Sequence, residues 1–172
     1  MSYGNQFKSE PLTTTYTTEQ YPVGTTFVQQ ADEVVAATHT DGTTSLGLKG
    51  DRTWIFVKAA AGITIYDCCI VNAADTATVS FEVIQSDATD DVEMDVVGVA
   101  QSAIAINSYG WLVCQGECVV NAASGLAAGE EIGTLAGGLV EGSTTAGARI
   151  GKCLSARGTP VAGTVRARIR LP

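Results

Sequence analysis

The chain has 172 residues, and its 18 Asp and Glu residues outnumber its 10 Lys and Arg residues, which gives a formal net charge of −8 at pH 7. An acidic chain argues against a nucleic-acid partner, because a phosphate backbone is bound by neutralising it with Lys and Arg. Charged residues make up only 16% of the chain, and 19 residues are glycine, a composition that favours sheets and turns over amphipathic helices.

The sequence carries no segment that predicts membrane insertion or export. No run approaches the ~20 apolar residues needed to cross a bilayer. Residues 1–10 lack the basic stretch and apolar run of a signal peptide. We therefore expect no membrane partner, and synthesis in the cytoplasm.

Residues 1–30 differ from the rest and predict an extended N-terminal arm. The segment is rich in Thr and contains Pro11 and Pro22, and both residue types favour an extended backbone. A disordered terminus is the alternative, but such segments are depleted in aromatic residues. We expect the arm to be mobile in the free protein and to become ordered across a partner, with these side chains as anchors: Tyr16, Tyr21 and Phe27.

Residues 31–172 predict one domain of many short strands. Apolar residues alternate in short bursts, and Gly or small polar residues separate the bursts, as in a small antiparallel β-barrel or sandwich with tight Gly-rich turns. Short helical turns are predicted only at 100–107 and 122–128. The candidate strands are 33–37, 44–49, 52–58, 63–71, 77–85, 91–99, 110–120, 130–135, 147–155 and 163–171.

Two of these strands carry like charges on one face. Asp91, Glu93 and Asp95 alternate with apolar residues in the first, and Arg166, Arg168 and Arg170 do so in the second. Like charges on one face of a strand are unfavourable unless something opposite compensates them. The two stripes therefore pair within one subunit, or the arginines face an acidic patch on another subunit, where guanidinium groups give specificity.

Neither catalysis nor a metal or cofactor site is expected. The one His, His39, lies in a polar turn-like run without a nucleophile motif beside it, and the acidic segment 86–95 does not have the spacing of an EF-hand. With one His and no CxxC spacing, a zinc site would have to be almost all thiolate. Reduced cysteines that pack in the core are favoured at all five positions: Cys68, Cys69, Cys114, Cys118 and Cys153.

Glycine and small-residue placement in about residues 98–172 resembles the small β-barrel of tailed-bacteriophage head decoration (capsid cement) proteins. The residues that carry the resemblance are Gly98-Val99-Ala100, Tyr109-Gly110-Trp111, Gly116, Ala128-Gly129-Glu130, Ser143-Thr144-Thr145-Ala146-Gly147, Ile150-Gly151 and Leu154. The resemblance implies a structural protein, made in the host cytoplasm, that binds the outer surface of the virion capsid. It also implies the major capsid protein as partner and a homotrimer where capsid subunits meet.

A binding module for carbohydrate or a host surface, displayed on the virion, is the alternative function. Trp54 and Trp111 discriminate between the two, because flat aromatic side chains stack on sugar rings only when they are exposed. Both lie within apolar bursts, which favours burial. Two buried tryptophans support a cement protein, whereas one exposed in a shallow groove supports sugar binding.

Overall fold

A computed structural model of the chain describes residues 12–30, 50–72, 81–87, 95–123, 125–142, 148–155 and 163–171. The predicted all-β class is confirmed. Within these ranges there are ten strands: β1 Thr26–Gln29, β2 Arg52–Ala59, β3 Cys68–Val71, β4 Glu82–Gln85, β5 Val96–Ala100, β6 Tyr109–Ala122, β7 Glu131–Thr134, β8 Val140–Gly142, β9 Arg149–Cys153 and β10 Gly163–Arg170. The strands predicted at 33–37 and 44–49 lie outside the described residues.

The strands form one large sheet in the order β1-β2-β4-β3-β5-β6-β10-β9-β7-β8, with additional pairings β2–β6 and β6–β8. The described strands do not close into a true barrel, which corrects the barrel form of the predicted barrel or sandwich. It is also not purely antiparallel, because β2 pairs with β4 and β6 pairs with β8 in parallel.

Strand β6 belongs to both halves of the sheet. Along its first half it lies between β2 and β5, and along its second half it pairs with β10 and, at its end, with β8. Leu112 is opposite Ile55 on one side and Ala100 on the other. The partner of β6 changes from β2 to β10 at Gln115, which is opposite both Thr53 of β2 and Arg170 of β10.

The apolar pattern of β2 explains why it is buried on both faces. Successive side chains of a strand point to opposite faces. Trp54 and Phe56 belong to a large cluster that also receives residues from β6, β9 and β10, whereas Ile55 and Val57 belong to a second cluster on the other face. The two clusters fix the register of β2, since a shift of one residue would exchange its two faces.

The predicted helical turn at 100–107 is wrong. Ile104 forms an isolated antiparallel bridge with Ile63, in which each backbone N–H donates to the other residue's carbonyl, at 2.9 and 3.0 Å. The strand predicted at 63–71 is also shorter in the structure. After Ile63, residues 64–67 form a turn, and β3 begins at Cys68. In the second predicted helical stretch, the described residues 122–123 and 125–128 end β6 and continue without a helix.

A buried carboxylate ties this turn to two strands. Asp67 is 2% exposed, and its Oδ2 accepts hydrogen bonds from the Thr64 N–H at 2.8 Å and from Gln85 Nε2 at 2.5 Å. Its Oδ1 accepts from Asn121 Nδ2 at 2.9 Å. A buried carboxylate needs such donors, because an unpaired charge in the interior is costly. The turn before β3 is thereby held to β4 and to the end of β6.

Gly116 lies in the middle of β6 with a backbone φ of +104°, and a Cβ there would come 2.5 Å from the Asp51 carbonyl oxygen. Replacing Gly116 with Ala should lower the free energy of unfolding by roughly 1–3 kcal/mol, because an L side chain is strained at this φ. Gly62→Ala is the matched control, since a Cβ at Gly62 meets nothing within 4 Å. Urea denaturation measures both variants, and equal stabilities would contradict this role of Gly116.

Candidate interaction surface

The predicted arginine stripe lies on the outer face of β10. Arg168 and Arg170 are exposed and Arg166 is half-buried. The residues between and beyond them point into the core: Val165, Ala167, Ile169 and Leu171 are all at most 6% exposed. The alternation predicted for this strand is therefore confirmed, with one face for packing and one for charge.

Arg168 has an ion-pair partner within its own chain. Its Nη2 donates to Glu117 Oε1 at 2.8 Å, and the two residues are directly opposite in the β6–β10 ladder. The Glu117 side chain is only 5% exposed, whereas that of Arg168 is 63% exposed. The arginine thus compensates a carboxylate that β6 places below the surface.

The pairing continues as a row of four charged residues across the sheet. Arg168 is opposite Lys152 of β9, and Lys152 is opposite Glu131 of β7. Directly opposite residues project from the same face of a sheet. The row therefore has two carboxylates at its ends and two cations side by side at its centre.

Two grooves flank Arg168 and Arg170. The first, of about 490 Å³, we call the basic groove, and it is lined by Glu131, Arg149, Gly151, Lys152, Leu154, Arg168, Arg170 and Leu171. The second, of about 460 Å³, is lined by Gly50, Asp51, Gln115, Gly116, Glu117, Arg168, Ile169 and Arg170. Two cations face two carboxylates in the second groove. In the basic groove four cations face one carboxylate.

The predicted acidic stripe cannot be placed as a whole, since Asp91 and Glu93 lie outside the described residues. Asp95 immediately precedes β5, and among the ion pairs of the described residues none joins it to an arginine of β10. Glu117 pairs with Arg168 instead. Contact of the arginine stripe with another subunit stays a prediction.

Arg52 is a buried cation that no local sequence pattern indicates. The residue is 6% exposed, and its guanidinium carbon lies 6.0 Å from the centroid of the Trp54 ring. Burial lowers the pKa of Arg52, and the nearby Cys118 and Glu117 oppose that shift. Among the described residues, no acceptor reaches its Nε or Nη2 atoms.

The three predicted anchor residues lie on the chain's own core. Tyr16 exchanges backbone hydrogen bonds with Tyr109, at 2.9 and 2.7 Å, beside the start of β6, and Phe27 lies in β1, which pairs with β2. The connection between them crosses the face of the sheet. It places Tyr21 with ring centroids 5.3 Å from Phe56 and 5.5 Å from Trp111.

This placement differs from an arm that extends away from the domain. The backbone pairs with β6 at Tyr16 and with β2 from residue 24 to residue 29. Tyr16, Tyr21 and Phe27 are partly buried against the large core cluster. The physical reason is that aromatic side chains gain more from burial against Phe56 and Trp111 than from exposure to water. Contact of these three residues with a partner subunit stays a prediction.

Both tryptophans are buried, as the sequence predicted. Trp54 is 2% exposed and Trp111 is 1% exposed. Trp54 Nε1 donates to Gln29 Oε1 at 3.1 Å, so its one polar group has a partner within the fold. Neither ring is available as a flat platform for a sugar.

The five cysteines are free thiols, four of them buried and Cys114 half-buried. Burial raises the pKa of Cys118 to about 12, with Arg52 acting against that shift. No group of three or more potential metal ligands occurs among the described residues, and His39 lies outside them. Over the same residues, no helix is long and apolar enough to cross a membrane.

No protein-family model matches the chain, and no curated protein sequence matches it. Among solved structures, the chain is similar to the head fiber gp8.5 N base of bacteriophage phi29. That similarity has a TM-score of 0.47 and 11% sequence identity, and it covers 68% of this chain and 97% of the other. A similarity of this size carries no argument about function.

Replacing Tyr21 with Ala should lower the free energy of unfolding by roughly 1–3 kcal/mol, because the substitution removes its ring contacts with Tyr16, Phe56 and Trp111 and uncovers the last two. Val28→Ala is a control from the same segment, since Val28 is 55% exposed. Thermal and urea denaturation measure both variants. An unchanged stability of the Tyr21 variant would show that this aromatic ring does not stabilise the free subunit.

Replacing Arg168 with Ser should lower the free energy of unfolding by roughly 1–3 kcal/mol, because it removes the guanidinium that donates to the nearly buried Glu117 carboxylate. Arg170→Ser removes the same side chain two residues away and should change stability by no more than about 0.5 kcal/mol. A double variant with Glu117→Gln should recover part of the loss. Equal stabilities of the two single variants would mean that the Arg168–Glu117 pair contributes nothing measurable.

Proposed function

We propose that this protein is a capsid decoration (cement) protein of a tailed-bacteriophage head. It binds the outer surface of the shell as a homotrimer and clamps adjacent subunits of the major capsid protein. The observation that carries the proposal is the concentration of exposed cations on β9 and β10 of an otherwise acidic chain. The resemblance of residues 98–172 to this family points in the same direction.

The distribution of charge favours a protein partner with an acidic surface. Half of the ten Lys and Arg residues of the chain lie in these two short strands, although the net charge is −8. A local basic patch on an acidic protein orients it toward a complementary surface and disfavours other orientations. A nucleic acid would be repelled by the rest of the molecule.

The burial of Trp54 and Trp111 favours decoration over carbohydrate binding. Sugar-binding modules present flat aromatic rings to solvent, and in this fold both rings belong to the large core cluster. The two tryptophans therefore stabilise the domain, and the polar outer face of β10 is left for recognition.

A clamp made of weak contacts becomes strong when it engages several subunits at once. Each exposed ion pair contributes roughly 0–1 kcal/mol. A trimer that spans neighbouring capsid subunits presents its second and third contacts at high effective concentration, so the total affinity exceeds that of any one contact. The shell then resists disruption by heat because separation of its subunits requires release of the trimer.

Incubation of the purified protein with capsids that lack it tests this proposal. We expect saturable binding, a copy number per shell that is a multiple of three, and a higher temperature of capsid disruption. Fully decorated capsids should bind no further protein, and raised ionic strength should weaken binding because it screens exposed charges. The absence of saturable binding to such capsids would overturn the proposal.

A further inference from the structure

We infer that the basic groove holds an extended, carboxylate-rich segment of a partner protein. The inference rests on the proposed function and deepens it, because it names the contact surface and the chemistry of the segment that the surface recognises.

The first observation is the excess of positive charge in the groove. Arg149, Lys152, Arg168 and Arg170 line it, and Glu131 is its one carboxylate. Arg149 Nη1 lies 3.4 Å from Glu131 Oε2, and the two side chains are 64% and 48% exposed. Solvent therefore screens most of the attraction between them. Lys152 and Arg170 form no ion pair with any described residue.

The second observation is the pair of like charges at the centre of the row of four charged residues. Arg168 and Lys152 are directly opposite in the β9–β10 ladder. Like charges in that position destabilise a sheet. Glu117 compensates Arg168 from the β6 side, and nothing in the ladder compensates Lys152 except the exposed Glu131. A carboxylate placed between the two cations would relieve their repulsion.

The third observation is the spacing of the cations and the apolar residues beside them. Arg168 and Arg170 are two residues apart on a strand, which separates them by ~6.6–6.8 Å. An extended segment with carboxylates at alternate positions has the same spacing, so each guanidinium can bind one carboxylate. Leu154, which is half-buried, also lines the groove and offers an apolar contact beside the cations.

These features favour a peptide over a nucleic acid. A nucleic acid presents a continuous row of phosphates and is bound by an extended basic surface. The cations here are confined to one groove that also contains Glu131 and two leucines. The remainder of the chain is acidic.

Fluorescence anisotropy tests the inference with the intact protein and a labelled peptide of alternating Glu and Val. A peptide of alternating Gln and Val and a single-stranded oligonucleotide of equal charge are the comparison ligands. The variant R149S/K152S/R170S removes three cations but keeps Arg168, which compensates Glu117. The control R149K/R170K keeps every charge, and circular dichroism verifies that all the variants are folded.

We expect the Glu-Val peptide to bind the wild-type protein at least about tenfold more tightly than the Gln-Val peptide. The triple serine variant should lose about tenfold in affinity, equivalent to ~1.4 kcal/mol at 25 °C. The charge-conserving control should stay within about threefold, and E131Q should bind more tightly than the wild type. Equal binding of the two peptides, unchanged affinity of the triple variant, or preference for the oligonucleotide would overturn the inference.

The same variants in the capsid assay separate this inference from the proposed function. If the triple variant loses both peptide and capsid binding, the groove is the capsid contact. If the triple variant decorates capsids normally although it has lost peptide binding, decoration uses another surface. That result would overturn the assignment of the basic groove as the capsid contact. If the wild-type protein binds the peptide but no capsid, the proposed function fails while the acidic-segment site stands.

Discussion

The backbone pairing of β6 is the constraint on which the rest of the structure depends. Its first half completes the ladder between β2 and β5, and its second half carries β10. Where β6 has no neighbouring strand on one side, side chains and loop carbonyls complete its hydrogen bonds. The Gln101 side chain bonds both the N–H and the C=O of Val119, and the Asn121 N–H donates to the Tyr66 carbonyl. One strand therefore fixes the position of the core and of the charged face.

That arrangement explains how an acidic domain can present a basic surface on the same strand that closes its core. The inward residues of β10 are apolar and its outward residues are cationic, so the same strand closes the core and carries the charge. Arg168 also has a structural task, because β6 places the nearly buried Glu117 below it. Lys152 and Arg170 form no ion pair with any described residue, and we propose that they recognise the partner.

The alternation of β10 and the burial of both tryptophans could be predicted from the sequence, because a period of two and apolar surroundings are local signals. Strand β1 could not, since Thr26–Gln29 is short and half-exposed and is a strand only because β2 lies beside it. Residues 100–107 have an Ala- and Ile-rich composition that suggests a helix, but the backbone of Ile104 pairs with Ile63. The partner of Arg168 depends on the register of β6 against β10, and no local pattern contains that information.

Electron cryomicroscopy of capsids decorated with this protein measures the orientation of the domain on the shell. If the protein binds the capsid through its basic groove, the outer faces of β9 and β10 contact an acidic surface of the capsid, with Trp54 and Trp111 inside each domain. The map should also show density for a capsid segment in the basic groove. A map in which β9 and β10 face the solvent, with the groove empty, would show that this face does not bind the capsid.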